Sequence, residues 1–400
     1  MTFSNDKTPS IRRYFLSQPH QPLFVMGIVH SIVGMLLFML AYKGVLALTI
    51  DATLFHAYWM IFIVFTHFFH GFLLTTFPRF CMAQAVPQRH YVRMFALYQS
   101  GALLFLVGAI FFPPIAVVGV LAIFAGHLMT VSHLRAIYLV GGAPDKKDAF
   151  WLLVAHALGL FSHLVFVVGL TYAIFGYPLL WFSFGAQLAT WGYLIFLAFV
   201  VAQRMIPFFS HVMIQKPDRF IAIVFALLVL KALANTLALG WIEIALTLAA
   251  AIYLGYEIFR WRLPIFSSPA ILWVLHLALF WLPIALLLDA ITQTLALVEG
   301  TDFIFAGLHL ALLGFLTTVL IGFGTRVTLG HSGQVPHADR FSTALFWLTQ
   351  LVVLTRFAYS ITIGFGLNLA WLFDLSATLW IVLFCAWGIK FGPTLIFGKR

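Results

Sequence analysis

The sequence predicts an all-α, polytopic membrane protein with about twelve transmembrane helices and both termini in the cytoplasm. Three observations predict it. The 400 residues are 63% hydrophobic and only 8% charged, with a mean hydropathy of +1.05. A soluble domain carries roughly 25% charged residues. The apolar runs are long and continuous, about the 20 residues that a helix needs to cross a bilayer, unlike the short alternating segments of a β-barrel. Finally, of 22 Lys and Arg, all but Lys43, Lys231 and Arg356 fall in the termini, in even-numbered connections or at helix ends beside them. That is a positive-inside pattern.

Read between charge and turn clusters, the expected spans are 23–42, 55–77, 95–112, 115–139, 150–174, 178–202, 219–239, 241–259, 270–291, 302–324, 341–363 and 368–389. Residues 1–22 form a cytoplasmic N-terminal segment, 23–390 the transmembrane domain and 391–400 a cytoplasmic tail. The first apolar run follows a polar, weakly basic stretch and is long enough to remain as an anchor, which argues against a cleaved signal. Tight turns are expected where Pro or Gly interrupts the apolar sequence, at Phe111-Phe112-Pro113-Pro114, Phe175-Gly176-Tyr177-Pro178 and Leu239-Gly240-Trp241. The short outside connections leave no room for a sizeable periplasmic domain.

The formal charge of +10 is a topology signal and does not indicate nucleic-acid binding. Cys81 and Cys385 suggest no disulfide framework, and the absence of CxxCH excludes covalent c-type haem.

Histidine carries the chemistry. Of fifteen, His20, His90, His211, His331 and His337 fall in cytoplasmic segments, and ten fall within spans: His30, His56, His67, His70, His127, His133, His156, His163, His276 and His309. Polar groups in a membrane are costly. A single buried imidazole is usually structural, but ten in one bundle favour cofactor ligation, since His is a common ligand of haem iron and copper.

At 100° per residue, His56, Met60, His67 and His70 share one stripe of the second span. His156 and His163 share a face of the fifth, beside Gly159. Gly27 and Gly34 flank His30, and Gly119 and Gly126 accompany His133. Such glycines either admit a flat macrocycle or pack helix on helix.

His67 and His70 are one turn apart, so they cannot be opposite axial ligands of one haem. One would ligate with a partner such as His127 or His163, and the other would orient it or serve a second metal. Among the charges, Asp374 and Arg356 are near enough in depth to pair, and these two with Lys231, Glu243 and Asp289 either neutralise one another or mark a proton path or propionate contacts.

Three stretches, FHAYWM with GFLLTTFPRF (55–60, 71–80), QRMIPFFSHVM (203–213) and LHLALLGFLTTVLIGFGTRVTLGHSG (308–333), resemble the NnrS family of bacterial membrane proteins. The matching positions are His56, Gly71, Pro78, Arg204, Pro207, Phe208, His309, Arg326, Gly330, His331 and Gly333. The sequence departs from the family at the start of the second span, where a His-Ala-His-Glu-Met run is replaced by His56-Ala57-Tyr58-Trp59-Met60, and at Gln203, where a Gly is usual. His67 and His70 lie outside the family pattern.

The resemblance covers the whole chain. It implies a haem- and copper-containing protein of the bacterial inner membrane linked to nitric oxide resistance. It also leaves room for haem-dependent redox activity and for respiratory-chain partners. Haem b is the expected cofactor and copper a further one.

Arg204 and Arg326 then become candidates for anchoring a haem propionate, with interfacial anchoring as the alternative; His331 would be a nearby helix-end contact. His56 and His309 are expected to share one metal-centred site, with Met60 beside His56, their imidazoles within about 15 Å. Two other classes compete: a proton-coupled secondary transporter and an assembly factor for a respiratory metalloenzyme.

Overall fold

A computed structural model describes residues 14–174, 181–265 and 267–398. The expected turn at Phe175-Gly176-Tyr177-Pro178 and the first thirteen residues lie outside them. Among the described residues the elements are all helical. They are α1 (His20–Tyr42), α2 (Ala52–Phe80), α3 (Gln88–Ile110), α4 (Pro113–Val140), α5 (Lys147–Ile174), α6 (Phe182–Phe209), α7 (Phe220–Thr236), α8 (Gly240–Arg260), α9 (Ala270–Glu299), α10 (Ala306–His331), α11 (Arg340–Gly364) and α12 (Trp371–Phe397). Eleven are long and apolar enough to cross a membrane; α7 is apolar but shorter. The chain is a multi-pass membrane protein.

Local chemistry sets the helix ends. The Asp51 carboxylate accepts the Leu54 N–H at 2.8 Å and starts α2, and Asp339 does the same for Ser342 at α11. Pro113 opens α4, where its missing N–H is harmless. Gly300 closes α9 with φ +70°, a conformation in which a Cβ would be strained. Tyr14 lies against Gly398, so the two ends of the described chain meet on one face of the bundle.

Burial ranks the helices. In α2, α6 and α10 the apolar windows are 94%, 83% and 83% buried, against 39–56% for the other long helices. These three form the centre, and nine surround them. Where they meet, Phe69, Phe72, Leu197, Val201, Val319 and Phe323 close round an apolar space of only about 40 Å³.

Each central helix also contains a π-helical segment: Trp59–Phe65, Leu188–Ile195 and Leu310–Thr317. Carbonyls displaced by the wider turn are taken up by threonines, Thr66 Oγ1 to Ile61 O at 2.7 Å and Thr317 Oγ1 to Leu312 O at 2.8 Å.

The π segment in α2 corrects the expected single histidine stripe. Bonds to the fifth residue instead of the fourth rotate everything downstream. His56 and Met60, at its near end, face one cavity. Beyond it, His67 faces α1 and α3, and His70 faces α4 and α5.

Gly119 packs against the α3 backbone, and the other glycines near histidines lie against protein rings. A Cβ on Gly34 would lie 2.1 Å from the Trp59 indole, on Gly126 2.7 Å from Tyr98, and on Gly159 2.6 Å from Tyr193.

Candidate metal and haem sites

Two polar regions emerge, one near the middle of the bundle and one toward the face opposite the termini. The opposite-face region is a cavity of about 170 Å³. His56 and Met60 from α2 and His309 from α10 all line it, together with Arg356 and the apolar side chains of Met35 and Phe38. Phe38 stacks on the His56 ring at 4.0 Å.

Arg356 is bonded to Ser360 Oγ, lies 3.5 Å from Ile304 O and 3.2 Å from His309 Nδ1, and packs on Tyr359. None of these partners is a carboxylate. The pairing with Asp374 that depth would allow does not form, because Asp374 accepts instead from Lys43 at 2.8 Å. Lys43 sits on the turn after α1, close to the start of α12, and reaches the carboxylate first.

His309 Nδ1 also lies 3.1 Å from Phe305 O. A guanidinium only donates, so Nδ1 can accept from Arg356 or donate to Phe305, but not both at once.

The central region holds four histidines from three helices, all fully buried: His70 (α2), His127 (α4), and His156 and His163 (α5). Ring centroids are 5.2 Å apart for His70–His127, 5.7 Å for His70–His156 and 6.1 Å for His127–His156. His163 is tied at both nitrogens: Nε2 is 2.8 Å from the Tyr58 hydroxyl and Nδ1 is 3.2 Å from His127 Nδ1. Its ring stacks on Phe62 at 4.1 Å. Tyr58, one of the departures from the family run, therefore completes this cluster.

His67 stands apart. Its Nδ1 bonds Ile63 O, and its Nε2 accepts from Gln99 Nε2 at 2.7 Å; Gln99 continues to His30 Nε2 at 3.0 Å. Both nitrogens are in use.

Arg204 donates to Asp148 Oδ2 at 2.9 Å and lies over Phe80, while Arg326 stacks on Phe209 at 3.8 Å. The His331 ring is 4.9 Å from His20. These three lie at the termini end of their helices, away from the cavity of His56 and His309. The sequence reading left His156, Tyr58 and Arg356 out of the site set. The spacing of His156 seven residues before His163 was the available signal for the first.

A family model described as NnrS protein matches residues 14–398, while a comparison with curated proteins finds no match. The chain belongs to the NnrS protein family.

Proposed function

We propose that this is a haem- and copper-dependent protein of the bacterial inner membrane that binds nitric oxide, or helps remove it or its damage products. Its haem would sit in the cavity shared by His56 and His309. Family membership supports the link to nitric oxide, and one observation carries the placement. Two imidazoles from facing central helices open into one cavity beside a guanidinium that has no carboxylate partner among the described residues.

The donor set fits haem b. One neutral imidazole would hold the iron and leave room for a small ligand beside the other, and Arg356 suits a propionate, which it can grip in bidentate fashion. A cavity of about 150 Å³ holds benzene, so a macrocycle needs more room than the present 170 Å³. Met35, Met60 and Phe38 are the side chains that must yield; the two methionines are unbranched and adaptable.

The tautomer of His309 couples the two parts. With Nε2 committed to a metal, Nδ1 carries the proton and donates to Phe305 O. Arg356 then loses that acceptor and turns to an anion. Bound haem would supply an iron able to take a small neutral ligand, and the apolar walls would admit nitric oxide from the lipid.

The Lys and Arg distribution supports twelve membrane crossings with both termini in the cytoplasm, which would put this cavity in the periplasmic half. The phenylalanine-packed centre favours this reading over a carrier, which needs a polar path between helices.

Purified protein from haem-replete cells should show reduced b-type bands after dithionite, and the haem should extract into acidified acetone. The bands should shift when nitric oxide is added. His309→Ala should lose them and His276→Ala keep them. Colourless, well-folded wild-type protein would overturn the reading.

A further inference from the structure

We propose that His70, His127 and His156 form a second, separate metal centre near the middle of the bundle and, resting on the copper dependence proposed above, that its ion is copper(I). The proposal stands on unpaired atoms. The Nε2 of each of these three fully buried rings has no hydrogen-bond partner among the described residues, and the same is true of the buried Tyr98 hydroxyl, whose ring is 5.4 Å from His70. A buried polar atom left without a partner is costly. Three on adjoining rings call for a shared partner.

The other nitrogens are set for this. His156 Nδ1 donates to Leu152 O at 3.0 Å, so its Nε2 carries a lone pair. Thr130 gives its hydroxyl proton to Gly126 O at 3.0 Å, so its oxygen accepts from His70 Nδ1 at 3.4 Å. His127 Nδ1 donates to His163 Nδ1, and His163 Nε2 then donates to the Tyr58 oxygen. In that state all three Nε2 atoms are free to ligate. An acceptor behind the second nitrogen is the usual support of a metal-bound imidazole.

Spacing agrees. With nitrogen about 2 Å from the ion, ring centroids of a tetrahedral or trigonal three-histidine site stand about 5.2–5.5 Å apart. The observed separations are 5.2, 5.7 and 6.1 Å. Among the described residues no three His, Cys, Asp or Glu side chains already surround one coordination point. The rings must turn inward, most of all His156 relative to His127. Rotation about the last histidine torsion is soft.

The choice of ion follows from charge. The rings contact one another and Tyr98, Tyr193 and Thr130, all neutral. Burying a dication with no anionic ligand costs far more than burying a monocation, since desolvation grows with the square of charge. Imidazole suits copper and zinc alike; only copper offers the single charge.

The test uses full-length protein in detergent, stripped of metal and titrated with copper(I) under a competing chelator. One tight equivalent should bind. X-ray absorption should show a copper(I) edge with three nitrogen neighbours near 2 Å and no sulfur. His70→Asn, His127→Asn and His156→Asn should each lose the tight equivalent. His163→Asn, which removes an outer support, should weaken it roughly tenfold; His30→Asn should leave it unchanged.

Thermal melting monitored by circular dichroism separates loss of copper from loss of fold. Haem bands report the other cavity, so failure of the haem reading leaves this result standing and the reverse. A sulfur neighbour, no tight equivalent in folded wild type, or full copper in folded His156→Asn would overturn the proposal.

Discussion

Two of the polar clusters buried in this bundle, the Lys231 triad and the His70 cluster, are finished to different degrees. Around Lys231 every charge has an answer. Nζ lies 2.9 Å from Glu243 Oε1 and 2.9 Å from Asp289 Oδ2, with the Trp191 ring 4.7 Å away. Glu243 also accepts from Asn235 and Gln293, both at 3.0 Å. Asp289 Oδ2 is close to the ammonium but off the direct hydrogen-bond line. Around His70, by contrast, the ring contacts are with neutral side chains, and three nitrogens are bare among the described residues. The charged triad ties α7, α8 and α9 together, and both its carboxylates have the ammonium beside them. The neutral cluster ties α2, α4 and α5. Unfinished bonding, not charge, is what singles out the neutral cluster.

The largest effect is expected where the finished cluster is broken. Lys231→Met leaves two carboxylates facing each other without a cation in a buried place. Removing one partner of a buried pair costs about 3–5 kcal/mol. Thermal or denaturant unfolding in detergent should show a loss of that size, and the triple change Lys231→Met, Glu243→Gln, Asp289→Asn should recover most of it. A tolerated Lys231→Met would mean that the triad contributes little, and the contrast between the clusters would collapse.

A smaller effect separates used from unused histidines. His67→Leu removes two hydrogen bonds and strands the Gln99 amide, at about 1–3 kcal/mol. His156→Leu in copper-free protein removes a bare Nε2 along with one bond and should cost less than His67→Leu. Copper should raise the melting temperature of the wild type, by mass action on the folded state, and leave His156→Leu unmoved. Equal costs without metal would erase the distinction on which the second site rests.

The helices were legible in the sequence because hydropathy and turn residues act locally. The observed helices overrun the expected spans at Arg79, Arg204 and Arg326, since a long arginine can extend its charged end while its stem stays within the helical turn. The π segments were not legible: FIVF and LALL read the same in either helix. That hidden turn is why His56, His67 and His70 appeared as one stripe and face three environments. The cavity holding His56, Met60 and His309 was approachable from motif positions and shared depth. The cluster at His70 was only half visible, because which nitrogen is spent on a neighbour depends on helices far apart in the chain. Lys43 taking Asp374 from Arg356 is the same lesson in charges: pairing is decided by the fold, across 331 residues.

The weakest test moves to the exposed rim and extends the comparison to a charge pair that water can screen. Asp339 caps α11 through the Ser342 N–H at 2.8 Å and also holds Lys390 on α12, with its side chain 48% exposed. Burial alone would raise its carboxyl, but the hydrogen bonds from Lys390 and Ser342 outweigh that and bring it down to about 2. A carboxylate held below its unfolded value of about 3.9 stabilises the fold above that pH and loses its contribution as pH falls toward 2. An exposed pair is worth about 0.2–1 kcal/mol, well under the buried triad. Asp339→Asn keeps an N-cap acceptor but drops the pair. At pH 6 it should melt slightly below the wild type, and the gap should narrow through pH 4 and close near pH 2, with high salt shrinking it throughout. A gap as large as that of Lys231→Met, or one that widens in acid, would mean that the rim pair is sheltered from water and that exposure does not set the order of these effects.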